Sequence, residues 1–369
     1  MLYRCFSPFL FLILTCCPSA WADKPQVTVG LGAVLSGDMA IFGQGDLRAV
    51  QTYLDSYGRH NIKLVVEDAR LTSAEGLRAY QKLINYDKVD VLIAAGTSNG
   101  IMAAKGLVNS SQTVTFMAST GGKNIDEAGP WMFRLGNSDT LNGVQQAQYF
   151  IEQGITRVAL LTELTEYTTD ISKAFRAEFL AHGGALVYDD SFLPNPTDFR
   201  SQVTAILHKS PQAVFMPTQT GTALGIFLKQ LRTQETEGKI EVHTTMVAAP
   251  NPNAHEIAGK HLLGVYYMDP NYDSEGERYQ EFLARYTNRF HAQPAAPFHA
   301  ASVVETLELL QLYLDKYMTY DKQGFQKYLL TEVGNRCGYM GCYQIDAEGN
   351  SDLGFHLAKI TKLISSSSQ

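Results

Sequence analysis

Small hydroxyl side chains and glycines follow two of the strands that the sequence predicts in the first half of the chain. Ser98 follows the third strand and leads into a helix, whereas Ser119, Thr120 and Gly121 follow the fourth. Loops at the carboxyl ends of parallel strands expose free backbone N–H groups at helix N-termini. The two loops together could therefore hold a carboxylate or another small oxygen-rich group without a basic side chain. In the simpler interpretation Ser98 is only a helix N-cap and residues 119–121 only form a turn.

The sequence offers little evidence for catalysis. It contains no G-x-x-x-x-G-K-[ST] phosphate loop and no H-E-x-x-H zinc motif. Gly30-Leu31-Gly32 follows a strand, but no glycine lies three residues further on, so the dinucleotide fingerprint is incomplete. His243 and His299 are predicted to be ordinary packed or surface histidines. We therefore expect no enzymatic activity, no cofactor and no metal; an enzyme with an unfamiliar site is the alternative.

The N-terminal residues have the pattern of an export signal. Arg4 provides the positive charge, Phe9–Leu14 an apolar core too short to span a bilayer, and Ala20-Trp21-Ala22 a cleavage site. We expect cleavage after Ala22 and a soluble periplasmic product that does not insert directly into a membrane. A lipid anchor at Cys17 is the alternative, but the preceding position, which is small in lipoproteins, holds a second cysteine.

Charge and cysteine content restrict the partners and the compartment. The net charge is −7 and no basic cluster occurs, so we expect neither nucleic acid nor an anionic membrane surface as a partner. Behind the export signal only Cys337 and Cys342 remain. An even pair of cysteines in an oxidising compartment predicts a disulfide that closes the short loop 338–341. A zinc site would need two more ligands nearby, and none has suitable spacing.

Predicted strands and helices alternate in both halves of the chain. Continuous apolar strands that alternate with helices indicate a parallel sheet covered on both faces. The predicted fold class is therefore α/β, with two Rossmann-like parallel-sheet lobes. The strands are Val27–Leu31, Ile62–Val66, Val89–Ile93 and Val114–Phe116 in the first half, and Val158–Leu161, Leu186–Tyr188, Ala213–Met216 and Val242–Met246 in the second.

In the order of its motifs, the chain resembles the leucine/isoleucine/valine-binding protein family, the type I periplasmic binding proteins of ABC importers. The resemblance covers nearly the whole chain after the export signal, and it rests on many weak motifs that occur in family order. They are Val29–Gly37 with Phe42-Gly43, Asp68-Ala69, Gly96–Ser98, Ala118–Thr120, Phe133-Arg134, Tyr167, Asp198-Phe199, and Gly338, Gly341 and Asp346 near the C-terminus.

The resemblance implies two lobes joined by three hinge strands, with each lobe completed by chain from the other half. The ligand would lie between the lobes, which close over it by hinge bending without covalent chemistry. The implied divisions are a signal peptide at residues 1–22, lobe one at residues 26–138 and 269–346, lobe two at residues 139–268 and 350–362, and a disordered tail at residues 363–369.

The resemblance also implies a set of ligand-binding residues. Family members that bind α-amino acids hold the ligand carboxylate with the equivalents of Ser98, Ser119 and Thr120 or Gly121. The other positions of the family site are occupied here by Phe42, Tyr167, Gln219 and Val247.

Val247 stands where the family has an acidic residue that receives the ligand ammonium, and Gln219 stands where it has an aromatic residue. A buried ammonium without a carboxylate partner costs several kcal/mol. The sequence therefore predicts a neutral second-lobe wall and an uncharged or anionic ligand, unless Glu163, Glu166 or Asp269 replaces the missing acid.

The function that the resemblance implies is that of a monomeric periplasmic solute-binding protein. It would capture a small amphipathic ligand, such as an amino acid, a carboxylate or an amide, and deliver it to the membrane permease of an ABC importer. The alternative is a ligand-sensing module that reports to a membrane signalling receptor or regulator.

Overall fold

A computed structural model of the protein describes residues 25–118, 120–121, 128–235 and 237–364. The predicted signal peptide, Ser119 and residues 365–369 of the predicted tail lie outside these residues. Within the described ranges, no helix is both long enough and apolar enough to cross a membrane.

The described chain folds around two six-stranded sheets. The first sheet contains β1 (Val27–Ala33), β2 (Ile62–Asp68), β3 (Val91–Ala95), β4 (Val114–Met117), β5 (Met132–Leu135) and β13 (Asn350–Ser351). The second contains β6 (Arg157–Glu163), β7 (Ala185–Phe192), β8 (Ala213–Phe215), β9 (Glu241–Thr244), β10 (Tyr266–Pro270) and β14 (Phe355–Lys359). A separate hairpin consists of β11 (Asn335–Gly338) and β12 (Gly341–Gln344).

The strand order confirms the predicted α/β class with two parallel-sheet lobes. The order is β13-β5-β4-β3-β1-β2 in lobe one and β14-β10-β9-β8-β6-β7 in lobe two. Neighbouring strands are parallel, except that β14 runs antiparallel to β10. All five residues of β3 are buried, as expected for a central strand of a sheet covered on both faces.

Helices cover the sheets, and those that directly follow a parallel strand begin at the edge where the strands end. In lobe one they are α1 (Ala40–Ser56), α2 (Ser73–Gln81), α3 (Ser98–Ser111), α9 (Glu277–Phe290), α10 (Pro297–Tyr317) and α11 (Lys322–Thr331). In lobe two they are α4 (Asp139–Glu152), α5 (Glu166–Ala181), α6 (Arg200–His208), α7 (Gly221–Gln234) and α8 (Pro252–Ala258).

The chain passes between the lobes after β5, after β10, and between β13 and β14. Hydrogen bonds tie two of these crossings together. The Ser138 N–H donates to the Asp352 carboxylate at 2.7 Å, and the Leu353 N–H donates to the Asn137 side chain at 2.6 Å. Short adjacent crossings of this kind concentrate backbone rotation in a few residues, which is the usual construction of a domain hinge.

The crossings lie slightly away from the predicted lobe boundaries. Asn350 and Ser351 pair with β5, so the chain leaves lobe one after Ser351 rather than before residue 350. β10 belongs to the sheet of lobe two as far as Pro270, whereas lobe one was predicted to resume at residue 269. A two-residue strand carries too little periodicity to be recognised from sequence.

The hairpin of β11 and β12 places Cys337 directly opposite Cys342, and their sulfur atoms are joined. A buried carboxylate anchors this hairpin in lobe one. Glu305 accepts hydrogen bonds from the Tyr339 N–H at 2.6 Å and the Tyr343 hydroxyl at 2.7 Å, and it pairs with Arg336. The geometry is compatible with the disulfide, whose formation in the exported protein stays a prediction.

Gly143 allows helices α4 and α5 to approach closely. A Cβ atom at this position would lie 2.2 Å from the Ile171 carbonyl oxygen and 2.8 Å from the Phe175 nitrogen. Gly106, on an exposed position of α3, has no atom within 4 Å of such a Cβ.

We predict that Gly143→Ala lowers the free energy of unfolding by about 1–3 kcal/mol, because the added methyl group forces the two helix backbones apart. Gly106→Ala is the matched control and should raise it by about 0.5–1 kcal/mol, since alanine is the better helix former. Urea unfolding measures both changes. Equal effects of the two substitutions would contradict the close approach of α4 and α5.

Candidate ligand-binding site

A cleft opens between the lobes at the carboxyl ends of the strands. It contains about 740 Å³ of space, counting its mouth, and is lined by residues of both lobes. Many lining residues lie in the first turns of helices: Phe42 in α1, Ser98 in α3, Asp139 in α4, Tyr167 in α5, and Phe298 and His299 in α10. These turns carry free N–H groups and the positive ends of helix dipoles.

The structure brings together every predicted ligand-binding residue that it describes. Ser119 lies outside the described residues. The residues that line the cleft are Phe42, Ser98, Thr120, Gly121, Tyr167, Gln219 and Val247. Their contact with a ligand stays a prediction.

The capping role considered for Ser98 belongs to its neighbour. Thr97 is the N-cap of α3, and its hydroxyl accepts a hydrogen bond from the Gly100 N–H at 3.3 Å. Ser98 is the first residue of the helix, so its hydroxyl is not used for capping. It interacts instead with the Asp139 carboxyl group, where it opposes the rise in pKa that burial causes.

The loop that contains Ser98 also matches a catalytic sequence pattern. Gly96-Thr97-Ser98-Asn99-Gly100 fits the G-x-S-x-G pattern of hydrolases, in which the serine lies on a strained turn between strand and helix. Ser98 is not among the residues with positive φ, and it begins an ordinary capped helix. Its contact is a carboxyl group rather than an imidazole. The loop therefore lacks the geometry of a nucleophile elbow.

Asp139 is the most informative residue that sequence reasoning missed. It is the first residue of α4 and only 4% exposed. Burial raises its pKa well above the ordinary value, and Asp170 adds to the rise, whereas Arg134 and Ser98 oppose it. Its Oδ2 atom is buried and has no hydrogen-bond partner among the described residues.

Gly121 makes room for the Asp139 carboxyl group. A Cβ atom at position 121 would lie 2.1 Å from Asp139 Oδ1, and the Gly121 carbonyl accepts the Asp139 N–H at 3.0 Å. Any larger residue at this position would displace the carboxyl group from the cleft wall. Glycine at position 121 therefore positions an acid, in addition to making a turn.

Two further oxygens in the cleft wall lack ordinary hydrogen bonds. They are Thr120 Oγ1 and Tyr167 Oη, both inaccessible to solvent. Burial, reinforced by the Asp139 carboxylate, raises the pKa of Tyr167 far above its usual range, although the nearby Thr245 hydroxyl acts in the opposite direction. An unsatisfied buried polar atom costs about 1–3 kcal/mol. Three such atoms facing one cleft indicate the place where a polar ligand group would bind.

The rest of the cleft combines apolar side chains with the polar residues Asp46, Asn137, Asn142 and Gln219. His299 is packed as predicted, against Phe42 with ring centroids 6.5 Å apart, and it lines the cleft. Burial lowers the pKa of His299 to about 4, so its imidazole is neutral at pH 7. Met39, Val247 and Phe298 complete this part of the wall.

The prediction of a neutral second-lobe wall is wrong, because Asp139 of α4 lines the cleft. None of the three acids considered as substitutes does so. Glu163 is fully buried, and its Oε2 accepts hydrogen bonds from the Thr218 hydroxyl and the Gln219 N–H, both at 2.6 Å. Glu166 is exposed, and Asp269 lies near His356 beside β14. The acid lies at the first hinge crossing, after β5, a strand that was not predicted from the sequence.

Comparison with known proteins identifies relatives of the whole fold. The profile of the family described as periplasmic binding protein matches residues 26–323. The leucine-binding protein LivK of Thermotoga maritima superposes with a TM-score of 0.81 at 17% identity, covering 92% of this chain and 98% of that one.

Two ligand-bound structures are equally similar. LivJ of Streptococcus pneumoniae, in complex with isoleucine, gives a TM-score of 0.80 at 18% identity, with coverage of 92% and 98%. A solute-binding protein of an ABC transporter from Rhodopseudomonas palustris, in complex with p-hydroxybenzoic acid, gives 0.81 at 19% identity, with coverage of 92% and 94%. At such identities the likeness establishes the fold.

The raised pKa of Asp139 predicts a pH-dependent effect of Asp139→Asn on the unliganded protein. The pKa of Asp139 is higher in the folded protein than in the unfolded chain. Its contribution to the free energy of unfolding is therefore fully present below the unfolded pKa of about 3.9, and it is lost as the pH rises towards the folded pKa. Asparagine does not titrate. The variant should therefore gain stability relative to the wild type between about pH 4 and about pH 7. Urea unfolding at both pH values measures the free energy of unfolding of the variant and of the wild type. If the variant gains nothing relative to the wild type from the lower to the higher pH, the prediction is contradicted.

Proposed function

The chain belongs to the family of periplasmic binding proteins, and on this premise we propose that it captures a small α-amino acid between its lobes for the permease of an ABC importer. The observation that carries the proposal is the group of buried, unpartnered oxygens on Thr120, Asp139 and Tyr167 in one cleft. The permease is favoured over a sensory receptor because the R. palustris relative is a component of an ABC transporter.

The ligand carboxylate would bind at the N-terminus of α3. That helix has 14 residues, and its first-turn N–H groups and dipole favour an anion. The Thr120 hydroxyl would add a hydrogen bond from the side, and so would the Ser98 hydroxyl once the ligand ammonium replaces it at Asp139. No lysine or arginine lines the cleft in the described part of the chain, so these neutral donors would carry the recognition.

The ligand ammonium would bind at Asp139. An isolated carboxylate in this buried position is unfavourable, which is why its pKa is raised. An ammonium group within hydrogen-bond distance would favour the ionised carboxylate and would occupy the free valence of Oδ2. A zwitterion suits this wall better than a simple anion, which the ionised acid would repel.

The ligand side chain would lie against the apolar part of the cleft. Phe42, Val247 and the neutral His299 line that part. Binding would take place in an open form on one lobe, and contacts with the other lobe would then stabilise the closed form. No covalent step is needed for this cycle.

A carboxylic acid without an amine is the rival ligand, and one observation favours it. Asp139 with a raised pKa could stay protonated and donate a hydrogen bond to a ligand carboxylate. Isothermal titration of matched pairs separates the two: L-leucine against 4-methylpentanoate, and L-phenylalanine against 3-phenylpropanoate. We expect an amino acid to bind at least about 100-fold more tightly than its des-amino analogue, because only the amine pairs with Asp139. The opposite order would contradict the proposal.

The hydroxyls of the first lobe give a second prediction. Hydrogen bonds to a charged group contribute about 1.5–3 kcal/mol, so Ser98→Ala or Thr120→Ala should weaken amino-acid binding about 10–150-fold. Ser111→Ala is the control, because Ser111 lies in α3 at the end remote from the cleft and bonds only within lobe one. Titration calorimetry measures all three variants. Unchanged affinity in both cleft variants would place the ligand carboxylate elsewhere.

A further inference from the structure

The carboxylate of Asp38 connects the two lobes outside the ligand cleft. Asp38 lies between β1 and α1 of lobe one, and it is not among the residues that line the cleft. Its Oδ1 accepts hydrogen bonds from the Gly221 N–H at 3.0 Å and from Asn251 Nδ2 at 2.9 Å. Its Oδ2 accepts from the Thr222 N–H at 3.2 Å, from Asn253 Nδ2 at 2.9 Å, and from the Thr222 hydroxyl. Every one of these donors belongs to lobe two.

The Asp38 carboxylate caps the N-terminus of a helix of the other lobe. Thr220 is the N-cap residue of α7, but its side chain makes no capping hydrogen bond. The first two N–H groups of α7 are instead satisfied by Asp38. A negative charge at this place also interacts favourably with the dipole of α7, which has 14 residues. Separation of the lobes would leave this helix end without a protein partner.

The N-terminus of α7 is connected to the cleft through the preceding residues. Gln219, which lines the cleft, donates its N–H to the buried Glu163, as does the hydroxyl of Thr218. Glu163 therefore fixes the segment before α7 within lobe two. The start of α7 is held against lobe one by Asp38. A displacement of lobe two away from Asp38 moves Gln219 out of the cleft wall with it.

We propose that Asp38 is a positioning residue that holds the lobes closed and thereby sets how slowly a bound ligand leaves. The inference rests on the proposed function, since it assigns Asp38 to the closing step of ligand capture. Another contact across the cleft, from the Glu166 N–H to Asn99 Oδ1 at 2.7 Å, is a single bond to a neutral group. Asp38, with five donors and a formal charge, is the stronger of the two connections.

The test compares Asp38→Ala with Asp68→Ala. Asp68 is the matched control because its carboxylate accepts from the Leu35 N–H at 2.9 Å and the Ser36 hydroxyl at 2.6 Å, both within lobe one. Amide-resolved hydrogen exchange at Gly221 and Thr222, on the unliganded protein and on the protein saturated with L-leucine, measures the capping by Asp38 directly. Stopped-flow measurement with L-leucine as the probe separates the association rate from the dissociation rate.

We expect Asp38→Ala to accelerate exchange at these two amides by about tenfold or more, and to raise the L-leucine dissociation rate about 10–100-fold with little change in the association rate. Asp68→Ala should change neither. Unchanged exchange, or an unchanged dissociation rate, in folded Asp38→Ala would overturn the inference. Absence of L-leucine binding to the wild type would count against the proposed function, and the exchange result would still decide on Asp38.

If Asp38→Ala does not fold, Asn253→Ala tests the same contact from the side of lobe two. It removes one of the hydrogen-bond donors to the Asp38 carboxylate. It should raise the dissociation rate by a smaller factor, about 3–20-fold. Combined with Asn99→Ala, which breaks the separate contact, the effects should multiply. An unchanged dissociation rate in folded Asn253→Ala would also overturn the inference.

Discussion

The rest of this site depends on a carboxyl group that is buried between two lobes and forms no salt bridge among the described residues. Asp139 is 4% exposed, and one of its oxygens has no partner among the described residues. Such a group is unfavourable in the isolated protein and becomes favourable when a hydrogen-bond donor from outside reaches it. In the proposed function the ligand supplies this donor, which would couple ligand binding to closure of the cleft.

Helix N-termini supply most of the remaining polarity of the interface. Two parallel sheets facing each other direct the first turns of α3, α4, α5 and α7 towards the space between the lobes. Each turn presents N–H groups that need acceptors. Thr97 and Thr165 cap their own helices, whereas the start of α7 receives Asp38 from the opposite lobe. This arrangement explains how an anionic group could be held without a lysine or arginine among the described residues of the cleft.

Local patterns in the sequence were sufficient to predict β1–β4, β6–β9, the two lobes and most of the cleft wall. Ser98, Thr120 and Tyr167 lie shortly after strands whose apolar runs are easily recognised, and Phe42 lies in the helix that follows β1, so their place in the cleft follows from the parallel topology. Asp139 was missed because β5, the strand that it follows, was not predicted. His299 comes from α10, which returns to lobe one from late in the chain. Neither position has a local signal that distinguishes it from an ordinary capped or packed residue.

The central claim is that Asp139 receives the ammonium group of an α-amino acid whose carboxylate lies at the N-terminus of α3. A crystal structure of the protein with its bound amino acid tests this most directly. The account predicts the ammonium nitrogen at about 3 Å from Asp139 Oδ2 and the carboxylate beside Ser98 and Thr120. A ligand with its carboxylate turned towards Asp139, or one bound outside the cleft, would contradict it.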